Sequence, residues 1–299
     1  MAFAVALNQI TKTYRTPGKE PFIALHPTTI QIEEGTIHGL LGPNGAGKST
    51  TISLLGGMLI PDAGTIEICG IDLARDPVGA KKLLGIVPQE LVVEPAFTVK
   101  EVLYYNAGMY GVLLAERKQR AADLLDALEL GPQADKRARE LSGGMKRRLM
   151  VAKAILHRPK VLILDEPTAG VDVALRQRLW DLVRTLHREG TTIIFTTHYL
   201  EEAEQLCERI TLLHKGRVIK EGTLQALQHE FAGNTLSFEL YDSEKPPLEG
   251  VKRNGKTFEL PYEDLGQAMT EVAKFYGTNL KSIQNQRVSL EQIFLELTR

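Results

Sequence analysis

An α/β fold with a parallel sheet is what the sequence predicts, on three observations. Val161-Leu162-Ile163-Leu164 is a continuous apolar run bounded by Pro159 and by acid, the pattern of a strand buried on both faces. Thr191–Thr197 is a second such run. A third strand, Thr36-Ile37-His38-Gly39-Leu40-Leu41, leads straight into a glycine-rich turn and then a helical run from Ser49 to Met58. Strands that alternate with helices imply parallel pairing.

The remaining elements follow in chain order. Residues 1–40 alternate apolar and polar side chains, as in Thr28-Thr29-Ile30-Gln31-Ile32, and predict short antiparallel strands interrupted at Thr16-Pro17-Gly18-Lys19. Met1–Leu7 reads as the first of these. Residues 98–158 predict mostly helix, with Leu124, Leu125, Leu128 and Leu130 at helical spacing. The texture changes near residue 225. A linker is expected at 231–234, a strand at Leu236–Tyr241, and a hairpin at Asn254-Gly255 between Val251 and Phe258. Leu265, Met269, Val272 and Tyr276 share one helical face, and Ser289-Leu290-Glu291-Gln292 is a capping box before a last amphipathic helix. The expected division is a first domain at 1–224, with a helical subdomain at about 90–157, and a small α+β domain at 225–299.

Composition excludes several classes. Of 299 residues, 43% are hydrophobic, enough for a sizeable core, and 24% are charged. Lys and Arg total 36 against 37 Asp and Glu, a net charge of −1, which argues against a basic nucleic-acid coat. No apolar run approaches a membrane span, and the start lacks the basic flank of a signal peptide. Cys69 and Cys207 form neither a disulfide framework nor a zinc cluster. They read as buried thiols of a reduced, cytoplasmic, soluble protein.

The chemistry concentrates in two segments. Gly42-Pro43-Asn44-Gly45-Ala46-Gly47-Lys48-Ser49 fits G-x-x-x-x-G-K-[ST]. Its glycines let the backbone close around phosphate oxygens, successive N–H groups point inward, and the following helix adds its positive end. Lys48 then reaches the β and γ phosphates, and the Ser49 hydroxyl ligates Mg²⁺. In Val161-Leu162-Ile163-Leu164-Asp165-Glu166, a buried strand delivers two carboxylates at its carboxyl end, where open α/β sheets bind ligands. Asp165 is the candidate for the magnesium shell. Glu166 is the candidate to polarise an attacking water, its plainer alternative being a cap on the next element.

With these residues in view, the sequence resembles the ATP-binding cassette (ABC) ATPases. Leu141-Ser142-Gly143-Gly144-Met145 resembles the family's signature motif, Gln89 falls at the Q-loop, and Ala169-Gly170-Val171-Asp172 resembles the D-loop. His198 matches the switch histidine and Tyr14 the aromatic that stacks on adenine. Met145-Lys146-Arg147-Arg148-Leu149, the stretch Thr196–Glu204, and Ser289-Leu290-Glu291-Gln292-Ile293-Phe294 are similar to ATPase subunits of ABC-2-type exporters. Val173 stands where many relatives have proline and Met145 where many cassettes have glutamine. Neither position supplies a phosphate ligand.

The resemblance implies a P-loop NTPase core: a RecA-like parallel sheet with an antiparallel β subdomain and a helical subdomain, plus the small C-terminal α+β domain. It implies an ATPase with ATP and Mg²⁺ as cofactors. Tyr14, Gly42, Pro43, Asn44, Gly45, Ala46, Gly47, Lys48, Ser49, Thr50, Gln89 and Asp165 would hold nucleotide, with Ser49, Gln89 and Asp165 on the metal. Lys48, Glu166 and His198 would serve catalysis. Ser142, Gly143 and Gly144 of a second copy would close over the γ-phosphate in a head-to-tail dimer, with Asp172 coupling the two sites. A separate membrane-spanning permease would carry the cargo, with this chain peripheral on the inner face of the plasma membrane. The rival reading is a soluble ABC ATPase acting on nucleic acid or the ribosome. Such relatives often carry paired cassettes, zinc ligands or coiled-coil inserts that this sequence lacks. A regulator without turnover would usually have Glu166 or His198 replaced.

Plainer readings stand beside several of these residues. Tyr14 could be an ordinary strand aromatic, Gln89 a loop amide and His198 a core histidine. Arg137, Arg139, Lys146, Arg147, Arg148 and Lys153 form a basic cluster, read as a solvated helix flank rather than a nucleic-acid patch. Tyr104, Tyr105 and Tyr110 read as packing residues or as contacts to a membrane partner. His26, His38, His157, His187, His214 and His229 show no ligand spacing.

Overall fold

Two twelve-residue strands, β1 (Phe3–Tyr14) and β2 (Phe22–Glu33), open the chain as an antiparallel pair. The antiparallel pairing and the interruption at 16–19 are as expected, but the strands run to twelve residues each instead of being short. Alternation breaks in the sequence are absorbed by register shifts within the pair, so the strands bend and twist without ending. The computed structural model describes residues 2–171, 173–231, 235–242, 248–285 and 288–298. Its chain divides into two compact units between Glu221 and Gly222.

The first unit continues with β3 (Ile37–Leu41), α1 (Lys48–Leu55), β4 (Ala63–Ile68), β5 (Ile71–Asp72), α2 (Pro77–Lys82) and β6 (Leu84–Val87). Helix α1 stops before Met58. Gly56 caps it and Gly57 turns into the left-handed region (φ +60°), which glycine adopts without a Cβ clash. Then come α3 (Val99–Met109), α4 (Leu114–Ala127), α5 (Gly143–Ile155), β7 (Val161–Asp165), α6 (Val173–Arg188), β8 (Thr192–Thr197), α7 (Leu200–Leu206), β9 (Arg209–His214) and β10 (Arg217–Thr223).

Two sheets result. One has the order β2-β1-β4-β5 and the other β10-β9-β3-β8-β7-β6, in which β9, β3, β8, β7 and β6 pair in parallel. Strands β3, β7 and β8 are buried at every residue, as continuous apolar runs require. One core cluster joins the two sheets through Val5, Leu7, Ile10, Leu25, Leu40, Ile52, Ile163 and Ile194. A second cluster, built from Val99, Leu103, Ala107, Leu125, Leu130, Leu149 and Leu156, holds α3, α4 and α5 together. Helix α3 starts with a reciprocal Thr98–Glu101 capping box.

The second unit contains α8 (Leu224–Phe231), β11 (Thr235–Leu240), β12 (Lys252–Asn254), β13 (Thr257–Pro261), α9 (Leu265–Tyr276), β14 (Leu280–Asn285) and α10 (Leu290–Leu297). The strands form an antiparallel sheet in the order β12-β13-β11-β14. Residues Gly255 and Lys256 turn the β12–β13 hairpin, with Gly255 at φ +64°. Ser289 and Gln292 exchange the capping-box hydrogen bonds that open α10. Residues 232–234 of the expected linker lie outside the described residues. Helix α9 buries Ala268, Val272 and Tyr276 against Leu236, Phe238, Phe258 and Leu260, and leaves Met269 40% exposed. Leu265, Val272 and Tyr276 lie on the core face as expected, with Ala268 in place of Met269. Cys207 is buried, but Cys69 is only half-buried on a left-handed turn residue (φ +47°) after β4. Among the described residues no helix is long and apolar enough to cross a membrane.

His38 is fully buried in β3, its Nε2 bonded to Thr211 Oγ1 at 2.8 Å. Burial, and secondarily the nearby Arg209 charge, lowers its pKa from 6.5 to about 4. The folded state therefore keeps the ring neutral while the unfolded chain takes up a proton near 6.5. The resulting stability is present above pH 6.5 and is lost as pH falls towards 4. Denaturant unfolding at pH 7 and pH 4.5 should show the wild type losing roughly 2–3 kcal/mol more than His38→Gln. Parallel losses would mean that the imidazole charges within the sheet.

Candidate active site

Parallel pairing brings three strand ends to one edge. Leu41 of β3 lies opposite Thr197 of β8, and Thr196 of β8 opposite Asp165 of β7. The segments that leave these strands are Gly42–Ser49, Glu166 onward and His198 onward, so they emerge side by side.

The glycine loop is possible only because of its glycines. Gly42 has φ +154°, and a Cβ there would lie 2.2 Å from the Leu213 carbonyl oxygen. Gly47 has φ +109°, and its Cβ would meet the Leu25 side chain at 2.7 Å. The loop thus rests on β2 and on the β9–β10 turn, where Gly216 N donates to Ala46 O at 3.0 Å. Pro43, Asn44, Gly45 and Ser49 remain exposed and Thr50 half-buried. Lys48 is buried, its Nζ donating to Gly42 O (2.6 Å) and Pro43 O (3.2 Å). Burial lowers its pKa, opposed by the charges of Glu166 and Asp165. Tyr14, at the end of β1, is 38% exposed, with its hydroxyl 3.4 Å from Thr50 Oγ1.

Asp165 and Glu166 are each 8% exposed. Thr196 Oγ1 donates to Asp165 Oδ1 at 2.7 Å and accepts from Glu166 N at 3.0 Å, so one hydroxyl holds both residues. Burial raises the Asp165 pKa, partly offset by the Thr196 bond. Glu166 sits in the left-handed region at φ +45°, a strained place for a residue with a Cβ. Its Oε2 receives the Gln89 Nε2 donor at 3.0 Å and lies 3.2 Å from His198 Nδ1. Gln89 and His198 are otherwise exposed, which sets aside the reading of His198 as a core histidine.

The other sequence-predicted residues divide. Ser142 caps α5, its Oγ accepting from Met145 N at 3.3 Å, with Ser142 and Gly143 exposed and Gly144 half-buried. Among the described residues no hydrogen bond or ion pair joins 142–144 to 42–49. Asp172 lies outside the described residues.

The basic cluster is corrected in part. Arg147 is buried and donates to the carbonyls of Pro88 (2.9 Å) and Gln89 (3.0 Å). Arg148 bonds Leu128 O, Arg137 bonds Ala96 O, and Lys153 pairs with Glu94. These cations are held by internal acceptors more than by solvent. Tyr110 stacks on His157 at 3.8 Å, whereas Tyr105 is 53% exposed.

Sequence reasoning missed Glu202. It is 2% exposed, and its Oε2 accepts from Thr168 Oγ1 (2.7 Å) and Thr197 Oγ1 (3.0 Å) while Oε1 faces Arg176 Nε at 3.3 Å. It ties the segment after Glu166, the strand end before His198 and helix α6 together. Its place one helical turn beyond His198 was the available signal, but Glu201 and Glu204 look the same in sequence.

Comparison with known proteins agrees with this geometry. Residues 25–169 match the ABC transporter family. The chain is 35% identical over 285 residues to the linearmycin resistance ATP-binding protein LnrL of Bacillus subtilis (strain 168), covering 90% of this chain and 92% of that protein. It belongs to the ABC transporter family. The Nod factor export ATP-binding protein I of Mesorhizobium japonicum is similarly related, 37% identical over 99% of this chain and 86% of its own length. A solved ATP-binding subunit of an ABC transporter superposes with a TM-score of 0.74 at 26% identity, covering 99% of this chain and all of that one. A solved dimeric ATP-binding cassette in a post-hydrolysis state, bound to ADP and Pi, gives 0.68 at 29% identity over 74% of this chain and 98% of that one. The chain is accordingly an ABC ATPase, the ATP-binding subunit of a transporter.

Truncating Glu202 to alanine strands the Arg176 guanidinium and two threonine hydroxyls. Denaturant unfolding should show Glu202→Ala destabilised by about 3 kcal/mol, and a loss under about 0.5 kcal/mol, the range of plain surface substitutions, would contradict the tie.

Proposed function

We propose that the chain powers export through a separate integral membrane subunit, as a head-to-tail pair that closes over two ATP molecules and reopens after hydrolysis. One observation carries the reading: Glu166 Oε2 lies within hydrogen-bond reach of both Gln89 and His198, on the sheet edge that carries Lys48. That is a carboxylate beside a phosphate cradle, flanked by two groups that can orient a water and a γ-phosphate. The relatives named for drug resistance and Nod factor export support export as the direction. In this reading residues 1–224 form the nucleotide-binding domain, with a helical subdomain at about 90–157, and 225–299 an accessory domain. The complex sits on the inner face of the plasma membrane.

Each residue has a task. The backbone of 42–50 wraps the phosphates, Lys48 neutralises the β and γ oxygens, and Tyr14 stacks on adenine. Glu166 accepts a hydrogen bond from the attacking water, and His198 holds the γ-phosphate. As water oxygen bonds to the γ-phosphorus, the bond to the bridging oxygen breaks and ADP leaves. The donors suit magnesium: a Ser49 hydroxyl, an Asp165 carboxylate and the Gln89 amide oxygen are all hard oxygen ligands, and Gln89 spends its Nε2 on Glu166. Mg²⁺ would supply neutralisation of the β- and γ-phosphate charge. Ser142–Gly144 open a thirteen-residue helix with Ser142 and Gly143 exposed, and among the described residues no hydrogen bond or ion pair ties them to their own glycine loop, which suits them to the partner's γ-phosphate. Asp172 couples the paired sites. The two-fold arrangement is supported by the dimeric cassette to which the chain is similar.

Lys48→Ala should weaken ATP binding roughly ten- to a hundredfold, as loss of charge-assisted bonds to phosphate implies. Unchanged affinity in a nucleotide titration would refute the cradle. Glu166→Gln should lower turnover about 10²–10⁴-fold and accumulate an ATP-bound dimer on sizing chromatography with light scattering. Wild-type hydrolysis by that variant would remove Glu166 from the chemistry. Ser142→Arg and Lys48→Ala chains should each be inactive alone, and mixing them should restore activity, up to about half the wild-type rate per mixed dimer, because each mixed pair regains one complete site. No recovery on mixing would contradict sites shared between copies.

A further inference from the structure

Arg147 is a buried cation that the proposed chemistry leaves unused. It is 4% exposed on α5; among the described residues no carboxylate lies within ion-pair distance of it, although the charge of Asp165 acts on it from farther off. Its guanidinium instead donates one Nη to the Pro88 carbonyl at 2.9 Å and the other to the Gln89 carbonyl at 3.0 Å, while Nε has no partner. A buried cation held by two neutral acceptors is a poor device for stability, since apolar replacements of buried charges are often neutral or stabilising. It is a good device for orientation. A planar fork on two successive carbonyls fixes the direction of the peptide between them, and the side chain leaving that peptide is Gln89, whose amide lies 3.0 Å from Glu166. Glu166 in turn lies 3.2 Å from His198. An unbroken chain of contacts thus runs from the helix that Ser142 caps to the carboxylate beside Lys48.

We propose that Arg147 is a positioning residue that registers the signature helix against Gln89, and through Gln89 sets the place of Glu166 for hydrolysis. The inference rests on the reading of Glu166 as the group that orients the attacking water. Its consequence is a split between binding and turnover. The phosphates are held by the glycine loop and Lys48, to which Arg147 makes no hydrogen bond, and only the distant charge of Asp165 links it to the nucleotide, so affinity depends on it far less than the rate does. The rate depends on it, because displacing a catalytic group by about 1 Å can cost on the order of a hundredfold.

The test uses the purified chain and five variants: Arg147→Met, which keeps the volume without donors, Arg147→Lys, which keeps charge and donors without the fork, Gln89→Ala, the double variant Arg147→Met with Gln89→Ala, and Glu166→Gln. Arg147→Met should keep its thermal midpoint and bind ATP within about twofold of wild type, while kcat falls roughly ten- to a hundredfold at unchanged KM. Arg147→Lys should recover part of that loss. In the Gln89→Ala background, Arg147→Met should change kcat by less than about twofold, the scatter expected of independent sites, because its effect is already spent. Three results would overturn the proposal while Glu166→Gln remains inactive. They are wild-type kcat in Arg147→Met, full additivity with Gln89→Ala, or a loss of rate that tracks equal losses of melting temperature and ATP affinity without recovery by lysine. Wild-type hydrolysis by Glu166→Gln would instead remove the reading on which the proposal stands.

Discussion

Parallel register at the middle of the six-stranded sheet is the constraint on which the site depends. Leu41, Thr197 and Asp165 end neighbouring strands at one level, so three segments far apart in sequence leave the sheet together. Parallel strands open their carboxyl ends on the same edge because every connection returns over a face of the sheet. A slip of one residue in β7 would turn Asp165 to the opposite face and move Glu166 off Thr196. The complete burial of β3, β7 and β8 is what resists such a slip.

That edge also solves a charge problem. Lys48, Asp165 and Glu166 are all nearly removed from water, and each would be costly alone. Together they offset one another, which shows in the opposed influences on Lys48. Thr196 supplies a hydroxyl to Asp165 and accepts the amide of Glu166, so the carboxylates are anchored by the neighbouring strand rather than by solvent. The left-handed backbone at Glu166 belongs to the same arrangement: a strained turn persists where its surroundings over-determine it. Glu202 extends the network behind His198, tying three segments that must hold their spacing for His198 to stay near Glu166.

The helical segment packs on β6 through α5 and adds one buried cation to that packing. Its own core of leucines and valines is separate from the core between the sheets. Arg147 reaches from α5 to the segment after β6 by gripping the Pro88 and Gln89 carbonyls. The residue gripped there is Gln89, whose amide touches Glu166. A fold with two clusters and a polar clasp between them can couple without being rigid throughout.

Much of this was legible in the residues themselves. The apolar runs ending in Asp165 and Thr197, the glycine spacing of 42–47, and the Ser289–Gln292 capping box are local patterns, and local backbone preference acts on them directly. What stayed hidden was of two kinds. Some were choices between adjacent positions, as when Ala268 rather than Met269 faced the sheet, or when two long bulged strands replaced several short ones. Others were meetings across the chain: Gln89 with Glu166, 77 positions apart, Arg147 with Pro88, and Glu202 with Thr168. The sequence by itself determined the glycine loop, the buried acidic strand end and the alternation that makes the sheet parallel, because each depends on neighbours along the chain. Only the tertiary structure decided which arginine is buried and which glutamate is a hub, because identical side chains differ only in what the folded chain brings against them.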